Sequence, residues 1–417
     1  MKNKIKVDSI FSAPRVLTCQ SFGKVKFKKE MNDLSMIKNG SIAVKDGLII
    51  GTGKEKEINK KYFTNINQNI IFKKGILMPG FCDPHTHLVF GGSRANEIFQ
   101  RLNGVSYQDI HKKGGGILYT VNQTRKESFS TLFNKAKNIL ELMMKHGTTS
   151  VEIKSGYGLD KENEIKTLKI IQKLKKLNMQ NIASTFLGAH AIPEKFKDNR
   201  NEYIKLIISM LPEIKKSKLA EFVDVFCETG AFTLKESEII LKEAKKHGFN
   251  LKIHAEEFDN TGGAKLAGNL NAVSCDHLMK LSDSDIKYLK DKNTVPTLLP
   301  GTTFFLGHTK YAPARDIIDN GLPVALATDF NAGSCMTFSM QMIISLACLK
   351  MKMSVEEAVN ASTINSAFAL SMEKKIGSLE KNKFADMILL DIDDIKLLPF
   401  YFGTNLVKYV IKKGKFL

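Results

Sequence analysis

No run of about 18 apolar residues occurs in the chain, so no membrane-spanning helix is expected. The basic start, Met1-Lys-Asn-Lys-Ile-Lys6, leads into no apolar stretch of the kind a secretory signal carries. Cysteines are few and scattered, at Cys19, Cys82, Cys227, Cys275, Cys335 and Cys348, with no Cys-x-x-Cys pair. That spacing argues against a disulfide framework or a cysteine-type zinc site and fits reduced thiols in the cytoplasm. Compact arginine clusters with interleaved aromatics are also missing. The net charge of +19 invites a nucleic-acid reading. However, the basic residues are mostly lysines in separated pairs, such as Lys175-Lys176 and Lys245-Lys246. A solvated lysine-rich surface is expected, with no nucleic-acid or membrane partner. Its charge can still help attract an anionic substrate. No short internal repeat or low-complexity segment occurs.

What is present is an alternation of strands and helices. Apolar, β-rich runs fall at 81–85, 148–153, 182–187, 222–226, 250–254, 271–275, 294–299 and 323–328. Helical patterns lie between most of them. Residues 127–145 place Leu132, Ala136, Ile139, Leu140 and Met143 on one stripe, and 161–177 and 202–217 behave similarly. Thr233 and Glu236 form a capping-box pattern, and His247-Gly248 ends that helix. Eight such runs predict an α/β fold, a (β/α)8 barrel, over residues 78–375. Residues 1–77 and 376–417 read as β, with Asp46-Gly47 between two alternating runs as a hairpin signal. The two terminal parts are expected to pair into one composite β-sandwich domain.

In such a barrel the chemistry sits at the C-terminal ends of the strands. His85 and His87 end the first run, and in a strand residues i and i+2 share a face. The fifth run, Leu251-Lys-Ile-His254, ends in His254 and continues to Glu257; the sixth is followed by Asp276-His277. The eighth, Val324-Ala-Leu-Ala-Thr-Asp329, ends in Asp329. His85, His87, His254 and Asp329 are enough for a catalytic metal with one open position, and imidazole suits zinc or iron. Glu257, rather than its neighbour Glu256, is placed to move a proton beside that metal. Gly114–Gly116 is not a phosphate loop, since no Gly-Lys-Ser/Thr follows; a flexible loop near the barrel mouth is expected.

His-x-His, His-x-x-Glu and a final Asp together resemble the amidohydrolase superfamily, and the terminal β segments match its composite sandwich. Pro84-His-Thr-His-Leu-Val-Phe-Gly-Gly-Ser-Arg94, Gly114-Gly-Gly-Ile117, Glu152-Ile-Lys-Ser-Gly-Tyr-Gly-Leu159, Phe186-Leu-Gly-Ala-His190 and Asp329-Phe-Asn-Ala-Gly-Ser334 are similar to the imidazolonepropionase family. The resemblance spans nearly the whole chain. It implies hydrolytic ring opening of 4-imidazolone-5-propanoate to N-formimidoyl-L-glutamate, in histidine breakdown, with one Zn2+ or Fe3+ per subunit in a homodimer. It implies His85, His87, His254 and Asp329 as ligands and Glu257 in proton transfer. Asp329 can also accept the water's proton, and His277 stabilises the developing oxyanion. Arg94, Tyr157 and His190 are implied at the substrate's carboxylate tail, and Asn331, Gly333 and Ser334 at its ring or at the product. Ala332 departs from the family's usual proline, and a looser loop after Asp329 is the expected consequence. A carbamylated lysine bridging two metals belongs on the fourth strand of related barrels. That run ends here in Cys227-Glu228, so one metal is expected and Lys154 reads as a structural or electrostatic residue. The competing reading is another amidohydrolase acting on a cyclic amide or amidine, such as a nucleobase-type deaminase.

Overall fold

The computed structural model describes residues 4–105 and 114–417. Eight parallel strands follow one another in chain order: Phe81–Asp83, Thr148–Lys154, Asn181–Ala189, Phe222–Cys227, Asn250–Ala255, Ser274–His277, Val295–Leu298 and Ala325–Leu326. Helices pack outside them, among them Phe129–Lys145, Lys161–Lys175, Arg200–Lys216 and Leu234–Lys246. This is the expected barrel. The stripe Leu132, Ala136, Ile139, Leu140 and Met143 is buried, and the Thr233–Glu236 capping box forms.

Closure between the first and eighth strands is made mostly by residues just beyond them. Asp329 N–H donates to His85 O (3.1 Å), and His87 N–H donates to Phe330 O (2.8 Å). The seam also carries the Asp83 carboxylate, which accepts from Thr328 N–H (3.1 Å) and Thr328 Oγ1 (2.6 Å). Closing the barrel therefore brings Asp329 to the two histidines.

The sixth strand begins later than its apolar run. Asn271, at φ +53°, caps the preceding helix Gly263–Leu270, so pairing starts at Ser274 and carries Asp276 and His277 within the strand. Gly114 and Gly115 lie outside regular structure and lead into a helix. Gly116 opens the helix Gly116–Lys126, and its N–H donates to Glu97 Oε1 (2.9 Å).

The second sheet joins both chain ends. Its strands run in the order Lys415–Phe416, Val407–Lys412, Met387–Leu390, Ile76–Pro79, Ser9–Leu17, Met36–Lys45 and Leu48–Lys54, with Asn69–Ile71 beside Ser9–Leu17. The seam between termini is the antiparallel pair Ile76–Pro79 with Met387–Leu390. Asp46 and Gly47 both have positive φ and form the expected tight hairpin. Both end strands fold back onto other parts of the domain. Ile49 N–H donates to Lys383 O (2.8 Å), and Phe416 packs edge-on against Phe11 (5.9 Å). The curled sheet encloses Phe11, Val16, Ile42, Leu77, Met387 and Ile411. Among the described residues no helix is long and apolar enough to cross a membrane.

Candidate active site

Four donors converge where the barrel closes. His85 Nε2 lies 3.2 Å from His87 Nε2, which lies 3.3 Å from His254 Nε2. Asp329 Oδ1 is 3.6 Å from His85 Nε2 and 3.5 Å from His87 Nε2. A tetrahedral ion with bonds of about 2.0–2.2 Å separates its ligands by about 3.3–3.6 Å. These four separations match such an ion.

The remaining ring nitrogens show why the donors face one another. His85 Nδ1 is 2.6 Å from Asp276 Oδ2, a carboxylate oxygen that can only accept from it. His254 Nδ1 lies 3.0 Å from Asp224 Oδ2. With the proton on Nδ1, each Nε2 offers a lone pair, and lone pairs converging at these distances call for a cation. Burial, followed by neighbouring positive groups, holds His85 and His87 well below the usual imidazole range, so both stay neutral as ligands must. Asp329 Oδ2 accepts from Thr302 Oγ1 (2.5 Å), which turns Oδ1 toward the histidines. Asp329 and His277 both sit at positive φ (+53° and +79°). Such backbone costs about 1–3 kcal/mol each and clusters at functional sites.

Behind the ligands lies a fully buried ion network. Lys154 Nζ is 2.7 Å from Asp224 Oδ2, 2.8 Å from Glu152 Oε2 and 3.7 Å from Asp276 Oδ2. Lys252 Nζ reaches Glu152 Oε2 (3.3 Å) and donates to Pro84 O (2.9 Å). Burial opposes the charge on Lys154, but Asp224, Glu152 and Asp276 outweigh it and hold the ammonium above the ordinary lysine range. Burial likewise opposes charge on Asp224, yet His254 and Lys154 hold its carboxyl well below the usual range.

Glu257 and His277 stand beside the donor set, with His277 Nδ1 3.7 Å from Glu257 Oε2. Burial first, then Asp329 and Glu228, pushes the Glu257 carboxyl well above its ordinary value. Glu256 points elsewhere: its Oε2 accepts from Ala264 N–H (2.9 Å). The loop carrying Glu257 is pinned by the buried Glu228, whose carboxylate accepts from the N–H groups of Glu257, Phe258, Asp259 and Thr229.

The other expected site residues line the same cavity of about 530 Å3, apart from Gly333 and from His85 behind it. The buried Arg94 gives its Nε and Nη2 edge to Glu97 Oε2 (3.0 and 2.8 Å). Gly333 lies directly against this guanidinium: a Cβ there would sit 2.0 Å from Arg94 Nη1. Gly333→Ala is therefore expected to displace Arg94 and raise KM about tenfold, equivalent to ~1.4 kcal/mol. Steady-state kinetics, with an unchanged unfolding temperature, checks this.

His190 stacks on His87 (5.0 Å, 17°), and Tyr157 packs against both rings. His190 Nδ1 lies 3.0 Å from Gly156 O. A carbonyl only accepts, so Nδ1 carries the proton and Nε2 is an acceptor. Buried Glu164 shapes the turn holding Tyr157 by accepting from Gly156, Gly158 and Leu159 N–H. Asn331 Oδ1 accepts from Gly333 N–H (2.9 Å) and Ser334 N–H (2.8 Å), closing the loop that contains Ala332. Asn331 and Ser334 line the cavity, while Gly333 acts from beneath Arg94.

Sequence reasoning missed Glu97, Glu152, Glu164, Asp224, Glu228 and Lys252 as supports, and His308 and Phe226 in the cavity wall. A signal existed for two of them. Asp224 and Lys252 interrupt apolar strand runs, where a charge demands a buried partner.

A parallel barrel with three histidines and an aspartate converging at its closed mouth, beside a buried glutamate, defines a metal-dependent hydrolase. The amidohydrolase family profile matches residues 76–417. The imidazolonepropionase of Alkaliphilus oremlandii (strain OhILAs) is 47% identical over 403 residues, 96% of this chain and 95% of that one. That of Clostridium tetani (strain Massachusetts / E88) is 46% identical over 406 residues, 97% and 96% of the two chains. Among solved structures, a zinc-bound adenosine deaminase from Xanthomonas campestris superposes with a TM-score of 0.74, covering 99% of this chain and 93% of that one. At 14% identity this likeness speaks for the fold alone. The chain belongs to the amidohydrolase family and, within it, to the imidazolonepropionase family.

Proposed function

We propose that the chain hydrolyses 4-imidazolone-5-propanoate to N-formimidoyl-L-glutamate. The observation that carries this reading is one cavity with two chemically different groups in its wall. His87, His254, Asp329, Glu257 and His277 supply hydrolytic groups, and the buried Arg94 supplies a cation for the propanoate tail. A neutral nucleobase has no carboxylate to meet Arg94, which disfavours the deaminase reading.

His85, His87, His254 and Asp329 hold one zinc or iron ion in this account. When bound, such a metal acts as a Lewis acid and lowers the pKa of a water toward about 7. Asp329 accepts the proton that water gives up and passes it to Glu257. His277 polarises the ring carbonyl as negative charge develops on its oxygen. Water adds to the carbonyl carbon, the bond from that carbon to the ring nitrogen breaks, and the nitrogen takes a proton from the Glu257 carboxyl. Burial, then Asp329 and Glu228, favours the protonated Glu257 carboxyl, the form that makes this donation. His190 Nε2 accepts a ring N–H, which holds the ring over His87. Tyr157 and Ser334 complete the contacts, and Asn331 sets the loop.

The test is incubation of freshly prepared substrate with metal-loaded protein, followed by mass identification of the product. N-formimidoylglutamate should appear, vanish after the metal is stripped with dipicolinate, and return on adding zinc or iron. Folded, loaded protein that makes no product would sink the assignment, and ammonia release from a neutral base would favour the runner-up. A cytoplasmic setting fits six unpaired cysteines. Pairing of two copies would cover exposed apolar side chains such as Phe400 and Phe402; sedimentation at the single-chain mass would rule this out.

A further inference from the structure

The buried network at the barrel centre has no part in the chemistry above and is costly to build. Five charged side chains, Glu152, Lys154, Asp224, Lys252 and Asp276, are each fully buried. Taking such groups out of water costs several kcal/mol per ion, and apolar replacements of the same volume are often neutral or stabilising. Stability alone therefore does not account for this cluster.

Its geometry does. Two carboxylates orient two ligand histidines: Asp276 stands behind His85, and Asp224 behind His254. They come from the sixth and fourth strands and are brought together by one side chain from the second. The Lys154 ammonium contacts Asp224 through Oδ2, the same oxygen that faces His254 Nδ1. On the other side it lies 3.7 Å from Asp276 Oδ2, the oxygen that takes His85 Nδ1. Glu152 steadies the ammonium from a third direction (2.8 Å). Alternate barrel strands contribute side chains to one interior layer, which is why residues from strands two, four and six meet.

We infer that Lys154 is a positioning residue for the metal centre, the cation that bridges Asp224 and Asp276 and holds them against His254 and His85. The inference rests on the metal reading given under the proposed function. Without the ammonium, Asp224 loses the cation 2.7 Å away and the bridge to Asp276 is gone. A carboxylate that turns away leaves the imidazole in front of it without its orienting acceptor. Loss of such an acceptor behind a metal ligand typically lowers metal affinity about 10–100-fold.

Lys154→Met removes the charge and keeps the length. Zinc affinity of wild type and variant is measured by competition with a chromophoric chelator, and visible spectra are recorded on the Co2+-loaded proteins. The expected result is about a 10–100-fold weaker zinc affinity and shifted Co2+ bands. A merely structural ion pair would lower the unfolding temperature and leave both readouts alone; affinity within about twofold of wild type, with an unchanged spectrum, overturns the inference. If Lys154→Met does not fold, Lys154→Gln, which keeps an N–H donor for Asp224, is measured in its place. Failure of both to fold also overturns the inference, since Lys154 is then a folding element. A His254→Ala control separates the two readings. Wild type binding zinc no better than this control would bring down the metal assignment itself, and the inference with it.

Discussion

Glu257→Gln is expected to lower kcat by about 10²–10⁴-fold, the usual contribution of a positioned general acid–base. Bound metal should remain at wild-type stoichiometry, because Glu257 is not among the four converging donors. The amide keeps the volume and loses the transferable proton. A sign for stability follows from the same environment. Burial, then Asp329 and Glu228, raises the Glu257 carboxyl, so its contribution to stability is full at low pH. That contribution is lost as pH rises from the ordinary glutamate range through the raised folded value. The metal-free variant should therefore unfold at a higher temperature than metal-free wild type at neutral pH. Rapid kinetics, metal analysis and thermal unfolding read the three effects. Retained kcat would remove Glu257 from proton transfer.

Arg94→Ala is expected to act on binding. Hydrogen bonds to charged groups contribute about 1.5–3 kcal/mol, so kcat/KM for the propanoate substrate should fall roughly 10–150-fold, mostly through KM. A substrate with a neutral tail should lose much less, and the double-mutant comparison isolates the carboxylate contact. The substitution also strands Glu97, a buried carboxylate left, among the described residues, with the Gly116 N–H. Some loss of stability is expected for that reason. Arg94→Ala/Glu97→Ala should recover stability without recovering KM. An unchanged KM in Arg94→Ala would move the carboxylate site elsewhere.

The convergence of His85, His87, His254 and Asp329 was legible in the sequence because two rules act together. Strand periodicity put His85 and His87 on one face, and barrel architecture put His254 and Asp329 at the same end. Asp46-Gly47 and Thr233–Glu236 were equally legible, since their signals are local. Supports were less so. Alternation along Phe222–Cys227 does not say which face looks inward, so Asp224 could not be paired with Lys154 or His254 in advance. Glu97 stands three residues beyond Arg94 and reads as a surface ion pair until burial is known. Glu164 and Glu228 accept backbone N–H groups in loops, whose course no periodicity encodes. The sequence favours Glu257 over Glu256, and the positive φ of Glu256 is where the two adjacent side chains diverge.

The most direct test of the central claim is anomalous diffraction from crystals of the metal-loaded protein at the zinc and iron absorption edges. One peak is expected, about 2.0–2.2 Å from Nε2 of His85, His87 and His254 and from Asp329 Oδ1. Two peaks, or one peak that leaves Asp329 or His254 outside bonding distance, would contradict the account.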